Sequence, residues 1–160
     1  MRCAAPAGPA ARDHPAPVST QYLLDNSAWA RLWHRALPAA RREQVATAIT
    51  ERRVHACLPF LLEAGYSARD GDDHDGLMLT LRSLPFAAID DLTEQRALQL
   101  QADLAQCGHH RMPPVDLLIA AIAERHGLTV LHCDRDFDVI VDRTSSVVST
   151  EWLAPPATFA

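Results

Sequence analysis

Four separated segments of this chain carry an acidic residue where an apolar strand or helix is predicted to begin or end. These acids are the candidate catalytic residues and also the candidate metal ligands: Asp25, Glu63, Asp116 and Asp134. Carboxylate oxygens suit Mg²⁺ or Mn²⁺, and crowded carboxylates repel one another unless a cation offsets their charge. A divalent ion held by them can orient and activate a water for in-line attack on a phosphodiester. The pattern therefore predicts a metal-dependent hydrolase.

Each of these acids also has an ordinary structural interpretation. Asp25 could cap the helix that follows it, Asp116 could be a helix N-terminal acid, and Asp134 could belong to an ordinary loop. Glu63 is harder to explain as a solvated side chain, because the helix around it is otherwise apolar. The repeated placement of acids at element boundaries favours one shared site over separate structural roles.

Two more residues are predicted to assist this site. Ser27 can position a metal-bound water beside Asp25, although helix capping is the simpler role for it, and Asp136 is a candidate auxiliary acid. The histidines at His109, His110 and His132 lack the spacing of a zinc site, so they are not predicted to bind a metal.

Composition limits the possible functions further. The chain has 160 residues, which is the size of one domain, and a net charge of -5 argues against a generally basic nucleic-acid-binding surface. All 15 of its basic residues other than histidine are arginine, which excludes a P-loop and its lysine. Four cysteines without a CxxC pair indicate neither zinc nor a disulfide scaffold, and no apolar run is long enough to span a bilayer. We expect a soluble, cytoplasmic protein.

Six arginines could bind the phosphate groups of a substrate, although a solvated helix face is the simpler interpretation of them: Arg31, Arg35, Arg41, Arg42, Arg52 and Arg53.

The predicted elements position the acids. An Ala- and Pro-rich extension at 1–19 is expected to be flexible, the domain to span 20–153, and 154–160 to form a short tail. Short apolar strands alternate with helices, which predicts an α/β fold with a mainly parallel sheet covered on both faces. In such a sheet, sites form outside the carboxyl ends of the strands, where Asp25 and Asp134 fall. The strands are predicted at 21–24, 54–57, 86–89, 128–132 and 147–149.

Helices are predicted between these strands, with two of the acids near helix starts. The helix after Asp25 should turn Trp29 and Trp33 to one side, and 70–76 should be a loop before a helix at 74–83. Glu63 and Asp116 should enter the site from the starts of their helices. The remaining helices are predicted at 38–50, from Pro59, from about 91 with Leu92, Leu98, Leu100 and Leu104 on its apolar side, at 113–126 in a deeply buried position, and at 137–140.

The segments around the acids resemble the PIN-domain family, and in particular its VapC-like toxins. The similarity covers about 21–153 and is carried by LLDNSAWARL, LLEAGYSAR, PPVDLLIAAIA and LHCDRDFDVI, although many relatives have Thr where this chain has Asn26. The resemblance implies a three-layer α/β/α sandwich and Mg²⁺- or Mn²⁺-dependent endoribonuclease activity on structured RNA such as transfer or ribosomal RNA. It also implies a VapB-like antitoxin that covers the acidic groove, and a homodimer.

Two other functions are compatible with the same residues. The first is a catalytically silent PIN-like module that binds RNA or a protein, which the retained acids disfavour. The second is a small-molecule phosphoesterase, which would require an enclosed pocket, and the sequence shows no obvious lid.

Overall fold

Four short strands form the centre of the protein, for which the computed structural model describes residues 19–159. They are β1 (Tyr22–Leu24), β2 (Val54–His55), β3 (Thr129–His132) and β4 (Ser149–Trp152). The sheet order is β2-β1-β3-β4, and every pair of neighbouring strands is parallel. The predicted flexible segment lies outside the described residues, except for residue 19.

Helices flank this sheet and connect its strands. They are α1 (Asn26–Trp29), α2 (Ala39–Thr50), α3 (Leu58–Tyr66), α4 (Gly71–Leu81), α5 (Asp91–Gln106), α6 (Pro114–His126) and α7 (Asp136–Arg143), with a final 3₁₀ turn at Pro156–Phe159. The predicted α/β class with a parallel central sheet is confirmed. No helix within 19–159 is both long and apolar enough to cross a bilayer.

The two central strands are buried on both faces. Leu23 and Leu24 of β1 and Val130 and Leu131 of β3 are all almost completely inaccessible to solvent. Because successive strand residues point to opposite faces, helices must cover both sides of the sheet.

Helix α6 is deeply buried, as predicted. Pro114 fits its first turn, and Gly127 ends it in a left-handed conformation with φ of 64°, which favours glycine. Between these limits the helix packs on α5 and β3. It therefore delivers Asp116, in its first turn, to the sheet from a fixed direction.

Two predicted segments of the fold are wrong. The strand expected at 86–89 is only a single bridge between Ala56 and Phe86, because β2 is short and α3 begins at Leu58. The expected loop at 70–76 is mostly the start of α4. Asp70 caps that helix by accepting a hydrogen bond from the backbone N–H of Asp73 at 2.9 Å, and acids in a first turn stabilise a helix.

Three side-chain positions also differ from the predictions. Trp33 is exposed because α1 ends at Trp29 and the chain continues as turns. Leu92 and Leu98 of α5 are exposed because the buried stripe follows another helical face: Thr93, Ala97, Leu100 and Leu104. The last strand lies slightly later than predicted, at Ser149–Trp152 instead of 147–149.

The final turn packs back on the domain. The ring of Phe159 contacts His34 edge to face, with 5.4 Å between centroids, and the Arg31 guanidinium lies 5.8 Å from the Phe159 centroid. The domain boundaries at residues 20 and 153 stay predictions.

Candidate active site

The carboxyl ends of the two central strands bring the first and last acids to the same edge of the sheet. Leu24 of β1 is in register with Leu131 of β3, and the backbone N–H of Asp25 donates to the carbonyl of Leu131 at 3.1 Å. Asp25 follows β1 directly, and Asp134 follows β3 after one intervening residue. Parallel pairing thus sets the two loops side by side.

Ser27 links these two loops. Asp25 Oδ2 accepts hydrogen bonds from the Ser27 backbone N–H, at 2.8 Å, and from the Ser27 hydroxyl. The same hydroxyl accepts a hydrogen bond from the backbone N–H of Cys133 at 2.9 Å. The capping role considered for Asp25 is therefore present. Burial raises the pKa of Asp25, which is only 3% exposed, and the Ser27 hydrogen bonds partly offset that rise.

Three acids form the closest carboxylate cluster in the described part of the chain. One ligand oxygen from each of Asp116, Asp134 and Asp136 lies within 4.8 Å of the others, and we name this set the acid triplet. The backbone N–H of Asp136 donates to Asp134 Oδ1 at 3.0 Å, which fixes the turn between the two. Asp116 reaches them from the first turn of α6.

Among the acids of the site, Asp116 has the most strongly raised pKa. Burial is the main cause and raises the pKa of Asp116 to about 8, with further contributions from the charges of Asp25, Asp134, Asp136 and Glu63. Burial and the Asp134 charge also raise the pKa of Asp136. These side chains therefore share one electrostatic environment that disfavours negative charge.

Glu63 borders the acid triplet but does not belong to it. It lies in the second half of α3, so the prediction that it enters from a helix start is wrong. Burial raises its pKa, and the charges of Asp25 and Asp134 raise it further. The metal-ligand roles of Glu63 and Asp25 stay predictions. Asp136, predicted as auxiliary, is the residue that completes the triplet.

The residues of the triplet fit a hard divalent cation. Their donors are all carboxylate oxygens, which Mg²⁺ and Mn²⁺ prefer, and no thiol or imidazole belongs to the cluster. A cation would also offset the negative charges of the neighbouring acids, which add to the effect of burial in raising the Asp116 pKa. The chemistry of the site is therefore consistent with metal binding.

His132 is a site-forming residue that the sequence did not reveal. Its fully buried ring lies between Phe137 and Trp152, with centroid distances of 5.0 and 4.9 Å. Nδ1–H donates to the carbonyl oxygen of Asp134 at 2.8 Å, whereas Nε2 has no hydrogen-bond partner within 19–159. The imidazole thus braces the loop that carries two of the triplet acids. Its position at the end of an apolar strand was the only sequence signal.

Three clefts border the acids, and each is named for one of its residues. The Tyr66 cleft, about 440 Å³, is mainly apolar and carries Asn26 and Glu63 at its edge. The Arg135 cleft, also about 440 Å³, is lined by Asp134 and Arg31, and the His109 cleft, about 250 Å³, is lined by Asp136. The site is therefore an open groove with separate approaches.

Four of the six predicted phosphate-guiding arginines make contacts within the protein, and Arg31 does so through a 3.0 Å hydrogen bond to the carbonyl of Ser27. Arg41 pairs with Glu151 at 2.6 Å, Arg53 pairs with Glu51 at 2.7 Å, and Arg42 donates to the carbonyl of His34 at 3.0 Å. These contacts support the fold.

Comparison with known proteins agrees with this geometry. The family model of the PIN domain matches residues 22–142. Ribonuclease VapC21 of Mycobacterium tuberculosis is 39% identical over 144 residues, which cover 88% of this chain and 99% of that protein. Ribonuclease VapC51 of the same species is 37% identical over 143 residues, covering 88% and 98%.

Solved structures share the fold at lower identity. The DNA-bound VapBC complex of Salmonella typhimurium contains a chain with a TM-score of 0.64 and 19% identity, covering 84% of this chain and 99% of that one. The extent of the family match and the identity to curated relatives are both sufficient to assign the family. This chain belongs to the PIN-domain family and, within it, to the VapC ribonucleases.

Proposed function

We propose that this protein is a Mg²⁺- or Mn²⁺-dependent endoribonuclease and the toxin of a VapBC-like toxin–antitoxin pair. Its substrate is structured RNA such as transfer or ribosomal RNA, and its place of action is the cytoplasm. The acid triplet of Asp116, Asp134 and Asp136 is the observation that carries the proposal. The ribonuclease relatives, which align over nearly their full length, support it.

The side chains of the site have different roles in hydrolysis. Asp116, Asp134 and Asp136 would hold the divalent ion, with Asp25 and Glu63 completing or orienting the set. When bound, the ion supplies charge neutralisation and activation of a water for attack on the phosphodiester. Ser27 keeps Asp25 oriented through the contact with its Oδ2 and keeps the β1 and β3 loops together. No side chain is required as a nucleophile.

An RNA cleavage assay tests this proposal. Wild-type protein with Mg²⁺ or Mn²⁺ should cut RNA, and both EDTA and Asp116→Asn should abolish cutting. Asp75→Asn is a matched control, since the Asp75 side chain is 88% exposed on α4. Undiminished cleavage by Asp116→Asn, or in EDTA, would contradict the metal mechanism.

The cleavage assay and a Mn²⁺ titration together separate the alternative function. A catalytically silent module that binds RNA or protein should show neither cleavage nor saturable Mn²⁺ binding. Burial, together with the charges of the neighbouring acids, raises the Asp116 pKa to about 8, and so strongly perturbed an acid in a cleft favours the enzyme.

The Tyr66 cleft is the proposed binding site of a VapB-like antitoxin. It is lined by apolar groups beside Glu63, and the side chains of Leu62 and Tyr66 are 65% and 93% exposed. A large exposed apolar surface next to an acidic groove suits a partner segment that covers both. Tyr66→Ser should weaken antitoxin binding, whereas Leu79→Ser should not, because Leu79 is an exposed residue of α4 outside this cleft.

We also propose that the protein forms a homodimer, which a measurement of its mass in solution tests.

A further inference from the structure

We propose that the RNA strand crosses the acid triplet along a two-sided phosphate path, entering over the Arg135 cleft and leaving over the His109 cleft or the reverse. This inference rests on the proposed ribonuclease function and specifies how the substrate is held. Its basis is that basic groups flank the triplet on both sides.

The triplet joins the two clefts physically. Asp134 lines the Arg135 cleft, Asp136 lines the His109 cleft, and oxygens of these two acids lie within 4.8 Å of each other. A polynucleotide with its scissile phosphate at the triplet can therefore place its neighbouring nucleotides in these two clefts, one on each side.

Each cleft offers hydrogen-bond donors suited to phosphate oxygens. Arg31 and Arg135 line the first cleft, and His109, His110 and Arg111 line the second. A guanidinium binds phosphate oxygens in a bidentate manner, and an imidazole N–H can donate to one. Except for Arg31, these residues are exposed, and Arg31 is held in place by a 3.0 Å hydrogen bond to the carbonyl of Ser27.

Basic groups along the path would offset the repulsion between the acidic site and RNA. The chain has a net charge of -5, and five acids near one site would repel RNA. Backbone contacts provide most of the sequence-independent affinity for nucleic acids, so local cations must lie where the strand passes. The two flanks meet that requirement, whereas the Tyr66 cleft is lined without an arginine or histidine.

The test measures RNA binding separately from cleavage. Full-length Asp116→Asn protein is titrated with fluorescently labelled transfer RNA in Mg²⁺ buffer over a range of salt concentrations. Arg111→Ala and Arg135→Ala are each added to this background. Arg82→Ala is the matched control, because Arg82 is exposed at the end of α4 and lines neither cleft. Thermal unfolding of each variant checks folding, and Arg111→Lys and Arg135→Lys keep the charge.

Each alanine variant should weaken RNA binding about three- to fivefold, as expected for loss of one exposed ionic contact. The slope of log affinity against log salt should fall by about 0.7 for each lost phosphate contact. The lysine variants should retain most of the slope, and Arg82→Ala should match the background protein.

Binding by Arg111→Ala and Arg135→Ala that equals the Arg82→Ala control overturns the path, and so does a loss confined to one flank. If Arg111→Ala and Arg135→Ala weaken antitoxin binding and leave RNA binding unchanged, the path is also overturned, because these arginines would then bind a protein partner. The outcome is separate from failure of the proposed function, which would appear as absent metal-dependent cleavage by the wild-type protein.

Discussion

The hydroxyl of Ser27 accepts a hydrogen bond from the backbone N–H of Cys133 at 2.9 Å and thereby ties the loop after β1 to the loop after β3. Ser27→Ala removes this acceptor and also one donor to Asp25. We expect a loss of about 1–3 kcal/mol in unfolding free energy and a fall of about tenfold or more in cleavage rate. Urea unfolding and single-turnover RNA cleavage measure the two effects. Ser27→Thr keeps the hydroxyl and should retain both properties; an alanine variant equal to wild type would show that the link is unimportant.

His132 should act as a positioning residue for Asp134. His132→Phe keeps a ring between Phe137 and Trp152 but loses the donor to the Asp134 carbonyl. We expect kcat to fall about tenfold with little change in KM, because the ring touches the loop and not the RNA path. Steady-state cleavage kinetics and hydrogen exchange of residues 133–136 measure this.

The matched variant for this position is His132→Asn, which can keep a side-chain N–H near the Asp134 carbonyl. It should recover part of the lost kcat and of the exchange protection. Equal kcat in His132→Phe and wild type would remove the positioning role.

The raised pKa of Asp116 predicts a stability change with pH. Its pKa is about 8 in the folded chain and 3.8 ordinarily. Between pH 3.8 and about pH 8, the folded chain therefore keeps a proton on Asp116 that the unfolded chain has already lost. Metal-free stability should therefore fall as pH rises through that window. Urea unfolding in EDTA at several pH values measures it. Asp116→Asn should flatten this dependence, and an unchanged slope in the variant would assign the effect to other groups.

Divalent metal should reverse that destabilisation. Binding to the folded chain alone raises its stability, by about 2.7 kcal/mol when the free ion is at 100 times its Kd. Because metal competes with the Asp116 proton, the gain should be larger near pH 8 than at pH 6. Thermal unfolding with Mn²⁺ at both pH values measures this. A gain that is the same at both values, or that persists in Asp116→Asn, would contradict binding at the triplet.

Glu124 should matter for stability and not for catalysis. Its carboxylate accepts hydrogen bonds from Arg96 Nε at 2.5 Å, from the Ser146 hydroxyl at 2.6 Å and from the backbone N–H of Val147 at 2.6 Å. Glu124→Gln breaks a charged network whose carboxylate side chain is only 9% exposed, and it should cost about 2–4 kcal/mol. Urea unfolding measures this loss. Cleavage per folded molecule should stay unchanged, and a lowered rate would place this network in the site.

The sequence predicted those parts of the fold that local patterns determine. Helix α6 begins at a proline pair and ends at Gly127, so its limits and deep burial follow from the residues themselves. The parallel central strands follow from short apolar runs that alternate with helices. The bridge at Phe86 differs because whether a short apolar segment becomes a strand depends on the length of its partner, β2.

The site was predictable as a set of acids but not as a geometry. Motif positions indicated Asp116 and Asp134, yet the position of Asp136 in the triplet depends on how the turn before α7 is held. The contact of His132 with the Asp134 carbonyl depends equally on tertiary packing, because isolated histidines give no spacing signal. Asp25 combines a local cap with proximity to the triplet, and no sequence pattern separates those two roles.

Anomalous diffraction from crystals grown with Mn²⁺ locates the bound ion. We expect an anomalous peak in contact with carboxylate oxygens of Asp116 and of Asp134 or Asp136, and its disappearance in Asp116→Asn crystals. A triplet without a peak at saturating Mn²⁺, or a peak only at unrelated surface acids such as Asp72 and Asp75, would contradict metal binding at the triplet.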